Sequence, residues 1–269
     1  MMLAKLRNNL LSRNALSVLG AGQYARYLAT FALRLPDIVR CGDLRPVDEA
    51  MGGSSRQFHY RGRDFLFDCA FCDEHVKDGS FAFGLAREIY IRDCYLKWHN
   101  AALLDNLSTV IDLGANRGAF SALMAVLSQS VISVEARPQF HPVLRHNIDL
   151  NHPRRYGIDI AIVGSGAVLE SQVVSPRLSM DELFEKHAVQ EVDLLKMDIE
   201  GSEFDLFDTP AWLRDVRALS LEVHPQFGDS RLITARLSEY GFNYRLADES
   251  LSLITDSSKV TFIYAWIDR

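Results

Sequence analysis

The stretch that decides the fold is VIDLGANRGAF, residues 110–120. Val110 and Ile111 are β-branched and suit a buried strand, Asp112 closes it, Gly114 and Gly118 bracket a tight turn, and Ala119–Leu127 has helical composition. Strand, glycine loop and helix in that order form the usual seat for a nucleotide-like ligand. Two residues separate this loop from a dinucleotide site. Asn116 carries a side chain where a second glycine would let the backbone approach a pyrophosphate. Asp112 would set a carboxylate near the ligand, repelling phosphate and attracting a cation.

The next strand, in VISVEARP, ends at Glu135, 21 residues after Gly114, the spacing at which a carboxylate accepts hydrogen bonds from ribose hydroxyls. A ligand with a ribose, no phosphate and a cationic end is S-adenosylmethionine. Outward from the loop, apolar strands are expected near 109–113, 131–135, 158–163, 192–199 and 217–223, with helices between them. Helix starts are signalled by Pro138, by Ser179 with Glu182, by Ser202 with Asp205, and by Thr209 before Pro210. This alternation predicts an α/β fold with a mostly parallel, doubly wound sheet. GFNYRLAD and KVTFIYAWID, with no helix between them, predict an antiparallel pair at its edge.

Before the loop the pattern is different. Residues 1–40 read as a basic, amphipathic helix interrupted at Gly20–Gly22 and stopped by Pro36, and 41–56 has linker composition. FHYRGRDFLF (58–67) reads as a hairpin and 85–106 as largely helical. The expected division is therefore 1–56 as helical cap and linker, 57–107 as hairpin and lead-in helix, and 108–269 as the Rossmann-like domain.

With 35 acidic and 29 basic side chains the net charge is −6, which offers no global field for a polyanion, so nucleic acid is not an expected partner. No apolar run approaches the roughly 20 residues of a membrane span. Polar Asn8, Asn9, Ser12, Asn14 and Ser17 interrupt what a signal peptide would need, and four cysteines do not make a disulfide framework. A cytoplasmic location is expected.

The motifs VIDLGANRGAF, SVEARPQFHPVLRHNIDLN, SMDELF, VDLLKMDIEGSEFDLF and LSLEVHP together resemble those of FkbM-type methyltransferases, over about residues 85–269. The resemblance implies S-adenosylmethionine dependence, a seven-stranded Rossmann-like sheet of order 3-2-1-4-5-7-6 with strand 7 antiparallel, and O-methylation of a sugar, glycan or natural-product hydroxyl. Cofactor contacts are expected from Asp112, Gly114, Ala115, Asn116, Gly118, Glu135, Ala136 and Asp198, and from Asp159 and Ala161 at the adenine edge. Glu88, Tyr90 and Tyr95 lie in the lead-in segment that covers the methionine end in related enzymes.

In VDLLKMDIEGSE, Lys196, Asp198 and Glu200 are two apart and share one strand face; Glu222 and His224 do the same in LSLEVHP. All five converge where open α/β sheets bind ligands. Lys196 is either part of the chemistry or a buried ion-pair partner of Asp198 or Glu222. His224 or Asp198 would serve as general base, giving for His224 a rate that rises through a pKa near 6.5. The alternative is a divalent cation such as Mg²⁺ on Asp198, Glu200 and Glu222. Two further signals compete. Gly20-Ala21-Gly22 fits a short NAD-type motif, with a glycine-hinged helix pair as the plain reading, and Cys69, Cys72 and His75 have metal-like spacing without a second ligand pair.

Overall fold

The computed structural model describes residues 13–164 and 175–268. The helix reading of residues 1–12 lies outside them. Two short strands, β1 (Ser55–Tyr60) and β2 (Arg63–Asp68), pair as the expected hairpin. The remaining strands are β3 (Leu107–Leu113), β4 (Ser128–Val134), β5 (Tyr156–Asp159), β6 (Ile162–Val163), β7 (Arg177–Leu178), β8 (Leu194–Met197), β9 (Ala218–Glu222), β10 (Asn243–Ala247), β11 (Leu253–Ile254) and β12 (Phe262–Trp266). The main sheet has the order β5-β4-β3-β8-β9-β12-β10-β11. Counting β3 as first, this is the 3-2-1-4-5-7-6 arrangement, with β12 antiparallel to both neighbours and β11 added as an eighth strand at the edge.

The helices are α1 (Arg13–Cys41), α2 (Arg45–Gly52), α3 (Cys69–His75), α4 (Ala82–Ala86), α5 (Ala101–Leu104), α6 (Ala119–Leu127), α7 (His141–Asp149), α8 (Met180–His187), α9 (Glu203–Asp208) and α10 (Ser230–Glu239). Ser179 and Glu182 form a reciprocal capping box on α8, whereas Ser202 stands before α9 without a capping bond from its side chain. Pro36 does not stop α1; the helix continues to Cys41. Part of the expected linker is α2, which buries Val47 and Met51. In the lead-in segment only short helices form, joined by one π-helical turn at Arg87–Ile91. The Gly20–Gly22 stretch sits in α1 at a kink, Gly20 having φ 68°. No strand leads into it, so it lacks the setting of a dinucleotide motif and is the helix pair.

The two faces of the sheet are packed by different parts of the chain. Ile111, Leu113, Val134, Leu195 and Leu221 bury one face against α8, α9 and α10 through Leu183, Phe207 and Ile233. On the other face Val110, Val131, Leu194 and Tyr264 share one continuous cluster with Leu19, Phe58, Phe83 and Phe120. The chain before β3 is thus a structural half of the sheet's packing. Tyr90 is central to it, fully buried against Phe58, Phe65 and Phe67, and its hydroxyl donates to the Ala119 carbonyl at the start of α6. No helix among the described residues is long and apolar enough to cross a membrane.

Candidate active site

Parallel register aligns the site. Asp112 pairs with Ser133 on one side and Lys196 on the other, Lys196 with Ser220, and Ser220 with Tyr264. These side chains form a buried polar row across five strands, beneath the carboxyl ends of the central ones. Ser121 bonds to both Asp112 (2.6 Å) and Ser133 (2.8 Å). Ser220 donates to the Tyr95 carbonyl, so the His99 Nε2–H must be the donor in its 2.8 Å bond to Ser220 Oγ. Burial holds His99 down at about 4, keeping it neutral.

This row changes the reading of two residues. Asp112 is fully buried and lines neither of the clefts described below; its carboxylate faces Lys196 Nζ at 3.2 Å. It is paired with that ammonium inside the sheet, and the carboxylate that lines both clefts is Asp198 instead. Lys196 donates to the carbonyls of Leu113 (3.2 Å) and Gly114 (2.7 Å). Burial alone would lower its pKa, yet Asp112 and Asp198 raise it, so it remains a cation that ties the glycine loop to β8. Its chief ion-pair partner is Asp112, with Asp198 farther at 3.9 Å.

The glycine loop lies over this row. Gly114 and Ala115 N–H groups both donate to the Val134 carbonyl, strapping the loop to β4. Gly114 has φ +77°, and a Cβ there would overlap the Asp198 carbonyl oxygen, because the loops after β3 and β8 touch at this point. Gly118 has φ +81°, and its Cβ would meet Leu144 at 2.8 Å. It supports the turn into α6 and is in neither cleft described below. Asn116 takes the left-handed φ of 51°, which asparagine tolerates better than most residues. Arg117, which sequence reasoning passed over, is buried and anchors the loop to Asp78 (2.8 Å) and Ser80 (2.9 Å).

Two clefts share Gly114, Asn116, Asp198 and Glu200. The first continues past Glu135, Ala136, Ala161 and Ile162. Glu135 Oε2 accepts from the Asn116 N–H (2.8 Å) and Oε1 from the Arg137 N–H (2.9 Å), which fixes the carboxylate and leaves each oxygen a second acceptor direction. Burial raises its pKa, and these two N–H groups oppose the rise. Asp159 is not in this cleft. Its carboxylate is held by Lys186 and His187, and its pKa is lowered because those partners outweigh burial. Ala115 belongs to the second cleft.

That second cleft, about 330 Å³, is bounded by Glu88, Arg92, Tyr95, Phe120, Lys196, Glu222, His224 and Glu249. The Tyr95 hydroxyl lies 2.9 Å from Asp198 and 3.0 Å from Glu222. A single phenol proton can serve only one carboxylate. Burial, with the charge of Asp198, pushes Glu222 up to about 8, so at neutral pH it holds a proton and donates to the phenol oxygen while the phenol donates to Asp198. His224 Nδ1 is 2.7 Å from Glu203, whose carboxylate is fully buried and also accepts from the N–H groups of His224 and Gly201. Burial would lower His224; the bond and charge of Glu203, with Asp198 and Glu222, hold it up at about 9. A free histidine at 6.5 is not what this site contains.

Among the described residues, the only set of side chains whose ligand atoms converge as a metal site requires is Asp198, Glu200 and His224. Cys69 and Cys72 are buried thiols raised by their burial, Cys72 accepting from Asn147, and His75 stacks on Phe71; they form no such set. Tyr95 and Glu203 are the functional residues the sequence least advertised: Tyr95 reaches across 103 positions to Asp198, and Glu203 sits as an ordinary acidic residue opening α9.

Comparison with known proteins adds the family. No curated protein matches the chain in sequence. Similar solved structures include precorrin-6y C5,15-methyltransferase from Geobacter metallireducens GS-15 (14% identity, 62% of this chain and 84% of that one, TM-score 0.41). They also include an rRNA methylase from Streptococcus thermophilus (14%, 62% and 92%, 0.41) and an O-methyltransferase from Bacillus cereus in complex with SAH (14%, 62% and 77%, 0.39). Likenesses of this degree say nothing of the substrate. Residues 112–244, from the end of β3 to β10, match the family described as Methyltransferase FkbM domain. They contain the glycine loop, Glu135 and the whole Asp198–His224 cluster, so the similarity to FkbM methyltransferase domains falls on the residues that build the two clefts.

Proposed function

We propose that the protein transfers the methyl group of S-adenosylmethionine to a hydroxyl of a sugar, glycan or hydroxylated natural product. The observation that carries this reading is the meeting of two unlike clefts at Gly114, Asn116 and Asp198. One offers backbone, small apolar side chains and a fixed carboxylate; the other is lined with carboxylates and a histidine. The residues fit the donor. Glu135 would accept from ribose hydroxyls, Ala161 and Ile162 supply an apolar wall for the base, and Asp198 faces the cationic end. The sulfonium donor supplies a carbon already activated for displacement.

The chain's own work is then alignment and management of one proton. Gly114 and Lys196 hold the loop against β8, which sets the donor cleft relative to Asp198. Alignment of this kind is worth up to about 7–11 kcal/mol when the reacting atoms are well held. The acceptor hydroxyl must lose its proton within the group formed by Asp198, Glu200 and His224, which lie where the clefts meet. His224 keeps its own proton at neutral pH, so it orients and balances charge there and is not the base as it stands. Four carboxylates besides the protonated Glu222, those of Glu88, Asp198, Glu200 and Glu249, line the acceptor side and disfavour a phosphate-bearing acceptor such as nucleic acid.

Calorimetry with S-adenosylhomocysteine and with NAD, followed by methyl transfer to a panel of saccharides, hydroxylated natural products and RNA, tests the proposal. Binding of the adenosyl ligand and turnover on a hydroxylated, uncharged acceptor is the expected result. Turnover on RNA alone, or binding of NAD in place of the adenosyl ligand, would overturn it.

A further inference from the structure

We infer that Asp198, Glu200 and His224 form a divalent-cation site on the acceptor side of the cleft, with Tyr95 and Glu203 as its outer supports. His224 Nε2 lies 3.8 Å from Asp198 Oδ1 and 3.8 Å from Glu200 Oε2. Those separations are too long for hydrogen bonds. Each is shorter than twice the roughly 2.1 Å bond of a small divalent cation to oxygen or imidazole nitrogen, and all three ligand atoms lie within 4.8 Å of one another, a spacing that one ion closes with small side-chain adjustment.

The supports make this more than a cluster of acids. The ligand atoms face one another while the remaining atom of two ligands is anchored from behind: Glu203, fully buried on α9, accepts the His224 Nδ1–H, and the Tyr95 hydroxyl, from the lead-in segment, donates to Asp198 Oδ2. Nδ1 bonded to a carboxylate fixes the ring with Nε2 aimed into the site, so that an arriving cation displaces the Nε2 proton to water and takes up its lone pair, the outer arrangement found behind metal-ligating histidines. Two carboxylates and one imidazole suit Mg²⁺ or Mn²⁺. Glu222 is outside the set, its Oε2 being engaged with Tyr95. The cation site therefore uses His224 where the sequence pattern suggested Glu222.

The role of the ion rests on the methyl-transfer reading. A hydroxyl on the cation loses its proton more readily, the proton passing to solvent water. The oxygen then forms the new bond to the methyl carbon, and the carbon–sulfur bond breaks with its electron pair left on sulfur as a neutral thioether.

The test is Mn²⁺ titration of the full chain, followed by electron paramagnetic resonance, with S-adenosylhomocysteine binding measured on every sample as the check on folding. One site is expected, with ¹⁴N modulation from an imidazole that H224Q abolishes. D198N, E200Q and H224Q should each weaken Mn²⁺ at least tenfold and E203Q by about 10- to 100-fold, while E222Q changes it less than about threefold. Wild-type protein that binds S-adenosylhomocysteine but no Mn²⁺, or binds Mn²⁺ with no nitrogen signal, overturns the cation site and leaves the proposed function standing. Failure of wild type to bind S-adenosylhomocysteine counts against the proposed function, whatever manganese does.

Discussion

The donor cleft and the acceptor cleft share a wall but are built from different materials. On the donor side the contacts come from neighbours in sequence: Gly114 and Asn116 follow β3, Glu135 ends β4, and backbone N–H groups hold the carboxylate in place. On the acceptor side Tyr95, Asp198, Glu203, Glu222 and His224 come from four separate segments and meet chiefly through side chains, the His224 N–H to Glu203 being the backbone exception among them. Backbone geometry tolerates many side-chain changes but no added Cβ. A side-chain cluster does the reverse, keeping its scaffold while its charges and protons respond to each substitution.

The largest expected effect strikes the backbone side. Gly114→Ala places a Cβ on the Asp198 carbonyl and forces a residue with φ +77° to pay the left-handed penalty. Together these should destabilise the protein by about 2–5 kcal/mol in chemical denaturation and abolish adenosyl-ligand binding. A G114A protein of wild-type stability that still binds would show that the two loops need not touch.

Next is Glu135. Glu135→Ala should weaken S-adenosylhomocysteine by about 1.5–3 kcal/mol, measured by calorimetry, with the circular dichroism spectrum retained. Because the same carboxylate also satisfies two N–H groups, Glu135→Gln, which can still accept at one oxygen, should lie between wild type and Glu135→Ala. Equal affinity in all three would remove Glu135 from the donor site.

The acceptor side should show itself through pH. His99, beneath it in the polar row, has its folded value near 4 against 6.5 when unfolded, so between these limits only the unfolded chain takes up the proton. The stability it confers is complete above 6.5 and is lost as pH falls toward 4, with a slope of at most about 1.4 kcal/mol per pH unit. Glu222 and His224 act in the opposite sense. With folded values near 8 and 9 they hold protons that the unfolded chain releases, and stability declines as pH rises from 4.5 and from 6.5 respectively. Melting temperatures across pH 4–9 should therefore be level between about 4.5 and 6.5, where the opposing slopes of His99 and Glu222 cancel, and fall as pH rises beyond 6.5. His99→Gln should turn that level range into a decline that begins at 4.5; a level range retained in the variant would break this assignment.

The smallest effect expected is that of Tyr95→Phe. Losing one hydroxyl from between Asp198 and Glu222 should reduce turnover about tenfold, or about 1.4 kcal/mol, with S-adenosylhomocysteine affinity changed less than threefold. A loss of affinity equal to the loss of turnover would mean that the phenol serves the donor cleft, and that the two sides are less distinct than their construction suggests.

The sequence by itself determined the four central parallel strands, because strands buried on both faces must each be a short apolar run, and helices must return the chain between parallel neighbours. The fifth, expected at 158–163, is instead the half-exposed edge strand Tyr156–Asp159, with Ile162–Val163 in a separate pair. The sequence also brought the glycine loop and Glu135 together, since their spacing belongs to one strand–loop–helix–strand unit. It misplaced Asp112 and Asp159, whose positions at strand ends look open along the chain. Only parallel register sets Lys196 beside Asp112, and only the packing of α8 brings Lys186 and His187 to Asp159. Before β3 the hairpin was legible and the helices were not, for a related reason: they are short, bent or π-wound, and that part of the chain is held by burying Leu19, Phe58 and Tyr90 against the sheet. Tertiary structure alone decided the chemistry of the acceptor side. Whether His224 is a base, a cation or a ligand depends on Glu203 behind it and on carboxylates from another strand end, and charge at such distances is governed by proximity in space, which residue spacing does not encode.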